Sequence, residues 1–178
     1  KIPKKIGIIT SPSGAAVKDV LSVLKRRFKA IPVIIYPTQV QGQKASIEII
    51  AALNQAITHN VCDVLIITRG GGSIEDLWCF NDEQLAHTIF ECPIPIVSGV
   101  GHEIDFTITD LVADKRAPTP SAAAEIVTPN QAELINNLQI FEQQLYSYIT
   151  RTFNNLREKL IWLTKRISHP GQKLQLQR

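Results

Sequence analysis

Residues 62–82, CDVLIITRGGGSIEDLWCFND, decide how this chain folds. An apolar, β-branched-rich run ends at Thr68 and Arg69, three glycines follow (Gly70, Gly71, Gly72), and Ser73 opens a stretch that turns acidic. A strand apolar at successive positions is buried on both faces, the habit of parallel sheets covered by helices. Three glycines after it let the backbone turn sharply and approach a ligand without a Cβ in the way.

Three further runs share the character of the first: KIGIIT (5–10), IPVIIYP (31–37) and IPIVSGVG (94–101). Helical patterns separate them. Val17, Val20, Leu21 and Leu24 share one face, Ile49, Leu53, Ala56 and Ile57 a second, and Leu85, Ile89 and Phe90 a third. Strand and helix alternating at this rhythm predict an α/β fold, a doubly wound and mainly parallel sheet in three layers.

Ligands on such sheets bind beyond the carboxyl ends of the strands. Every polar, Gly-rich stretch falls at one of those ends: TSPSGAAVKD, YPTQVQGQ, TRGGGSIED and SGVGHEID. The four loops are expected to converge on one rim. Ser13, Gly14, Gly70, Gly71, Gly72 and Ser73 are then phosphate-binding candidates. The amides of 70–73, with Ser73 capping the next helix, would form an anion nest, and Arg69 could clamp a phosphate bidentately. The alternative is a tight turn with a surface arginine, but three glycines exceed what that turn requires. The GxxxxGK[ST] pattern of a P-loop is absent.

His102 follows the fourth run, three residues before Asp105. An imidazole there could serve as general acid or base, with a carboxylate fixing its tautomer. His59, His87 and His169 have no such setting. Asp19, the one acid of residues 1–29, is either an early-helix carboxylate favoured by the dipole or a group facing Arg69 and His102 on the rim. Arg116, in RAPTPSAAAE (116–125), could reach a phosphate or be a solvated hinge residue, ahead of a helix capped by Ser121. Trp78 and Phe80 read better as packing under the glycine loop than as base-stacking platforms.

Charge is uneven along the chain. Residues 1–29 carry a net of +7, residues 60–114 a net of −9 with ten acids, and residues 115–178 a net of +5. Basic flanks could hold a polyanion at the edges, or be solvated helix faces. Cys62, Cys79 and Cys92 form no CxxC pair and no metal spacing, so they read as buried thiols of a reducing cytoplasm. No apolar run approaches the ~18 residues of a membrane span, and no signal-peptide pattern opens the chain.

From Leu134 to Ile167 apolar residues step by three or four, predicting one amphipathic helix of about 38 residues and ~57 Å. His169-Pro170-Gly171 would end it. Its stripe requires a partner helix, so the chain divides into an α/β domain over 1–130 and a helical arm over 131–178, the latter pointing to a helix-mediated oligomer.

GIITSPSGAAVKDVLSVLKRR, PVIIYPTQVQG, CDVLIITRGGGSIEDLWCFNDE, IPIVSGVGHEIDFTITDLVAD and RAPTPSAAAE together resemble the catalytic domain of the exodeoxyribonuclease VII large subunit family, in family order over about residues 5–130. The resemblance implies hydrolysis of single-stranded DNA from both ends into oligonucleotides, in the cytoplasm, by an assembly with small subunits. It places the family's functional residues on Asp19, Arg69, His102 and Asp105. It also implies no obligatory metal, although the acids of 60–114 could attract Mg²⁺. Thr68 stands where the family commonly has glycine, Gly99 where it has alanine and Ile104 where it has threonine. The family's N-terminal oligonucleotide-binding barrel is not in the chain, which therefore reads as a fragment. Two other classes fit the residues alone: a nucleotide-binding phosphotransferase, and a non-catalytic nucleic-acid-binding scaffold.

Overall fold

Five strands, all parallel, pair in the order β2-β1-β3-β4-β5. They are β1 (Ile6–Thr10), β2 (Val33–Pro37), β3 (Val64–Thr68), β4 (Ile96–Gly99) and β5 (Lys115–Arg116). The computed structural model describes residues 2–71, 74–101 and 105–166. The chain divides into two units, Lys1–Gln131 and Ala132–Arg178.

In the first unit the sheet is the middle layer. Period-two alternation sends Ile6, Ile8, Ile66 and Val97 to one face, where they meet Val20 and Leu24 of α1 (Ala15–Arg27) and Ala123, Ala124 and Val127 of α5 (Pro120–Val127). Ile9, Leu65, Ile67 and Ile96 go to the other face, against Ile49 and Leu53 of α2 (Ala45–His59) and Leu85 and Ile89 of α3 (Glu83–Phe90). Both faces are covered, which is why β1, β3 and β4 are apolar at successive positions. Strand β2 is an edge, and its Ile35 is exposed.

Gly7 lies where β1 passes under Tyr36: a Cβ there would come within 2.5 Å of Leu65 Cδ2 and 3.2 Å of the Tyr36 ring. Tyr36, Ile49 and Leu53 are buried in the layer beyond. Gly99 serves the opposite face. A Cβ on it would approach Ala123 Cβ to 2.9 Å and the Thr119 carbonyl oxygen to 3.2 Å, so its absence lets α5 pack closely on β4.

Several local expectations are corrected. The sheet has five strands rather than four, because a two-residue charged strand leaves no apolar run to read. The element after the glycines is a 3₁₀ helix, Ile74–Asn81, and the α-helix begins later, capped by Asp82, whose Oδ1 accepts from Leu85 N at 3.0 Å. Thr119, not Ser121, caps α5, its hydroxyl accepting from Ala122 N at 3.1 Å with Pro120 in the first turn. Phe90, the last residue of α3, is exposed rather than in the core. Of the cysteines only Cys62 is fully buried; Cys79 and Cys92 are partly so.

In the second unit, α6 runs unbroken over Gln131–Arg166, 36 residues, about 54 Å at 1.5 Å per residue. None of its residues is buried, and Leu138, Phe141, Leu145, Leu156, Leu160 and Leu163 are all exposed. The His169-Pro170-Gly171 stop lies outside the described residues. No helix among the described residues is long and apolar enough to cross a membrane.

Candidate active site at the sheet's switch point

The strand order reverses between β1 and β3, and the crevice outside their carboxyl ends is where such sheets bind ligands. A cavity of about 530 Å³ opens there. Three of the four expected loops line it: Ser11, Ser13 and Gly14 after β1, Gln39 and Gln41 after β2, and Arg69, Gly70 and Gly71 after β3. The fourth loop leaves β4 at Gly99, which pairs in register with Thr68, the residue before Arg69. Thr68 Oγ1 also donates to the Gly99 carbonyl at 3.0 Å, tying together the two strand ends. His102, Gly72 and Ser73 lie outside the described residues, as does Ile104.

Positive potential in the cavity has two sources. The first is the N-terminus of α1, which follows Gly14 with no side-chain cap, so its leading amides and the positive dipole end remain for an anion. Ala15, the first residue of the helix, lines the cavity. Ser11 and Ser13 hydroxyls lie 3.4 Å apart, and Gly14 N donates to the Ser11 carbonyl at 3.2 Å, which holds the loop in a tight turn.

The second source is Arg69. Its side chain is only 3% exposed although it lines the cavity. Nη2 donates to Asp76 Oδ2 at 2.8 Å, a charge-assisted contact that lets the guanidinium be buried and holds its plane. Asp76 belongs to the 3₁₀ helix, so that element's place in the chain is what orients the arginine. Cys79, one turn on, has its thiol 3.7 Å from the Val40 carbonyl, pinning the 3₁₀ helix to the loop after β2. Burial pushes this thiol up, with Arg69 pulling in the opposite direction.

Asp19 is exposed in α1, outside the cavity lining. Asp105 is half-buried, and its carbonyl oxygen accepts from Arg116 Nη2 at 3.3 Å. Arg116 also stacks on the Phe106 ring at 3.9 Å, so β5 holds the exit of the fourth loop. Of the residues expected at the rim, the cavity brings together Ser13, Gly14, Arg69, Gly70 and Gly71, whereas the sequence linked Arg116 to no particular neighbour.

It missed Asp110. This carboxylate is 5% exposed in α4 (Ile108–Val112). Oδ1 accepts from Ser98 Oγ at 2.5 Å, and Oδ2 from Thr107 N at 3.0 Å and Thr107 Oγ1 at 2.8 Å. Ser98 is in β4 and Thr107 caps α4, so Asp110 clamps both ends of the loop that carries His102 and Asp105. The signal was present as TITD, residues 107–110, a Thr with an acid three positions on, the pattern of a capping box.

The acids of 60–114 have local work. Asp63 accepts from Lys4 N and Lys5 N, Asp82 caps α3, and Asp114 accepts from Ile96 N at 2.8 Å. Among the described residues, no group of three or more His, Cys, Asp and Glu that could hold a metal ion comes together.

Trp78 reverses an expectation. Phe80 is fully buried, in the core shared with α2 and α3, but Trp78 is 75% exposed. In a 3₁₀ helix residues two apart point in different directions, so only one of the two rings reaches the core.

A family model described as exonuclease VII, large subunit, matches residues 1–178. An exodeoxyribonuclease 7 large subunit of Hahella chejuensis is 55% identical over 98% of this chain and 39% of its own length. One from Neisseria meningitidis serogroup B is 50% identical over 99% of this chain and 39% of its own. One from Legionella pneumophila strain Lens is 55% identical over 97% and 39%. The chain thus spans about two fifths of the length of these curated relatives. With its whole described length matched and half or more of its aligned residues identical, the chain belongs to the exonuclease VII large subunit family.

Proposed function

We propose that this domain hydrolyses phosphodiester bonds of single-stranded DNA, taking the strand from either end and leaving oligonucleotides. The observation that carries the reading is the switch-point cavity. In it a buried, Asp76-held Arg69 meets Gly70, Gly71 and the uncapped start of α1, a donor set suited to a phosphate.

Arg69 and the amides of Gly70, Gly71, Gly72 and Ser73 bind the scissile phosphate and stabilise the charge that develops on its oxygens. Ser13 and Gly14 hold the same phosphate from the α1 side. His102 moves the proton as general base or acid, Asp105 orients the imidazole, and Asp19 positions water. Arg116 contacts a backbone phosphate. The nucleophile is water, or His102 itself in a covalent route. No step is assigned to a metal, and Mg²⁺ is at most a stimulant.

The working form is an assembly in the cytoplasm with the small subunit, joined through the exposed stripe of α6. The test is cleavage of end-labelled single-stranded DNA by the full-length large subunit with its small subunit, with and without EDTA, alongside His102→Ala. Cleavage surviving EDTA and lost in the variant is expected. Full activity in His102→Ala sinks the mechanism, loss of all activity in EDTA sinks the metal-free chemistry, and binding without cleavage identifies a scaffold.

A further inference from the structure

A second cavity, of about 670 Å³, adjoins the first. Consecutive residues of the loop after β2 pass from one to the other: Gln39 and Gln41 line the first, Gly42 and Gln43 the second. The 3₁₀ helix spans both in the same way. Its Asp76 holds Arg69 of the first cavity, while its Trp78 and Asn81 line the second. Whatever occupies the phosphate site therefore has the second cavity as its neighbour.

The chemistry of the two differs. No Lys or Arg lines the second cavity among the described residues, and two carboxylates do, Glu75 and Asp82. That potential repels a phosphate and attracts the amino and imino edges of nucleobases. Trp78 supplies a large π face, left 75% exposed at a cost in solvation that packing does not repay. Asn81 Oδ1 accepts from Ile108 N at 2.9 Å, which fixes the side-chain amide and turns its NH₂ into the donating end. Ser46 and Gln43 add groups that donate or accept. An aromatic platform rimmed by two amides and a hydroxyl, with no cation among the described residues, takes a flat polar heterocycle.

We infer that the second cavity is a nucleobase subsite, in which Trp78 stacks a base of the strand whose phosphate lies at Arg69 and Gly70. The inference rests on the phosphodiester reading above and deepens it: the enzyme grips a single strand alternately by phosphate and by base, which an intact duplex, with its bases stacked inside, cannot offer. Stacking recognises every base, so the subsite confers strandedness rather than sequence preference.

The test uses the full-length large subunit assembled with its small subunit, as wild type, Trp78→Ala and Trp78→Phe. Substrates are end-labelled single-stranded oligonucleotides, unmodified or with one abasic nucleotide stepped along the strand from its end. In the wild type, an abasic nucleotide at one register is expected to lower kcat/KM by about 5- to 150-fold, the span of one stacked base. Trp78→Ala should lose a similar factor on the unmodified strand and no longer distinguish the abasic one, and Trp78→Phe should keep most of the discrimination. Unchanged kcat/KM in Trp78→Ala overturns the subsite. So does an equal loss on unmodified and abasic strands, because the tryptophan would then be acting elsewhere. Wild-type assembly that cleaves no single strand overturns the phosphodiester reading itself, a result separable from the other two.

Discussion

Arg69 Nη2 and Asp76 Oδ2, seven residues apart in the chain, lie 2.8 Å from each other, and the arginine is 3% exposed while its carboxylate partner is 36% exposed. The pair converts a flexible, charged side chain into a fixed wall of the cavity. Removing Arg69 by Ala should cost about 100- to 1000-fold in kcat, the usual loss for a developing-charge donor. Asp76→Asn leaves the guanidinium buried without its charged partner, so about a tenfold loss in kcat/KM together with a lower urea midpoint is expected. Arg69→Lys should rescue little, because an ammonium cannot reproduce a planar fork. Steady-state cleavage of a single-stranded oligonucleotide checks all three, and wild-type rates in Arg69→Lys would remove the need for the fork.

Asp110 is buried with three hydrogen bonds, so Asp110→Ala strands Ser98 Oγ and the Thr107 donors away from water. A destabilisation of about 3 kcal/mol is expected by urea denaturation. Asp110→Asn retains the shape and loses one acceptor, and should fall between. Because the clamp closes the loop bearing His102 and Asp105, activity measured well below the urea midpoint should fall in both variants.

At Gly99 the close approach of α5 makes even a methyl group expensive. Gly99→Ala would bring its Cβ to 2.9 Å from Ala123 Cβ, and α5 must shift by a few tenths of an ångström. The expected loss is about 1–2 kcal/mol, visible as a lower Tm. An unchanged Tm would mean that α5 slides freely on β4.

Tyr36 sets an alkaline limit on stability. Burial, reinforced by the Cys62 contact, pushes its phenol up to about 12. Below pH 10 the hydroxyl is protonated in both folded and unfolded chains, and the full stability is present. Between pH 10 and about 12 the unfolded chain loses this proton while the folded chain keeps it, so stability falls as pH rises, by about 2–3 kcal/mol. Tyr36→Phe should flatten this part of the profile in urea melts across pH 9–12, and an equal slope in both proteins would assign the loss to other groups.

The legible part of the fold was its layering. Burial on both faces demands apolar residues at successive positions, and the runs at 5–10, 62–70 and 94–101 satisfied that without knowledge of any neighbour. The same holds for the loops. Glycine and serine at a strand's carboxyl end are a local property, so Ser13, Gly14, Gly70 and Gly71 could be chosen before the sheet was assembled. Strand β5 was illegible because two charged residues pair with β4 only by tertiary placement. Trp78 and Phe80 carry the same apolar signal, and only the path of the 3₁₀ helix sends one inward and the other out.

Local pattern alone specified an α/β sheet with glycine- and serine-bearing loops at the carboxyl ends of its strands, since periodicity and glycine placement act through nearest neighbours. Tertiary structure alone decided that β1 lies between β2 and β3, and thereby which three loops share a cavity. It also decided that Asp76 pairs with the buried Arg69, that Asp110 is a clamp, and that Trp78 stands open to solvent. The reason is physical: strand order, ion pairing and ring exposure depend on residues distant along the chain, and no local repeat encodes which of them will meet.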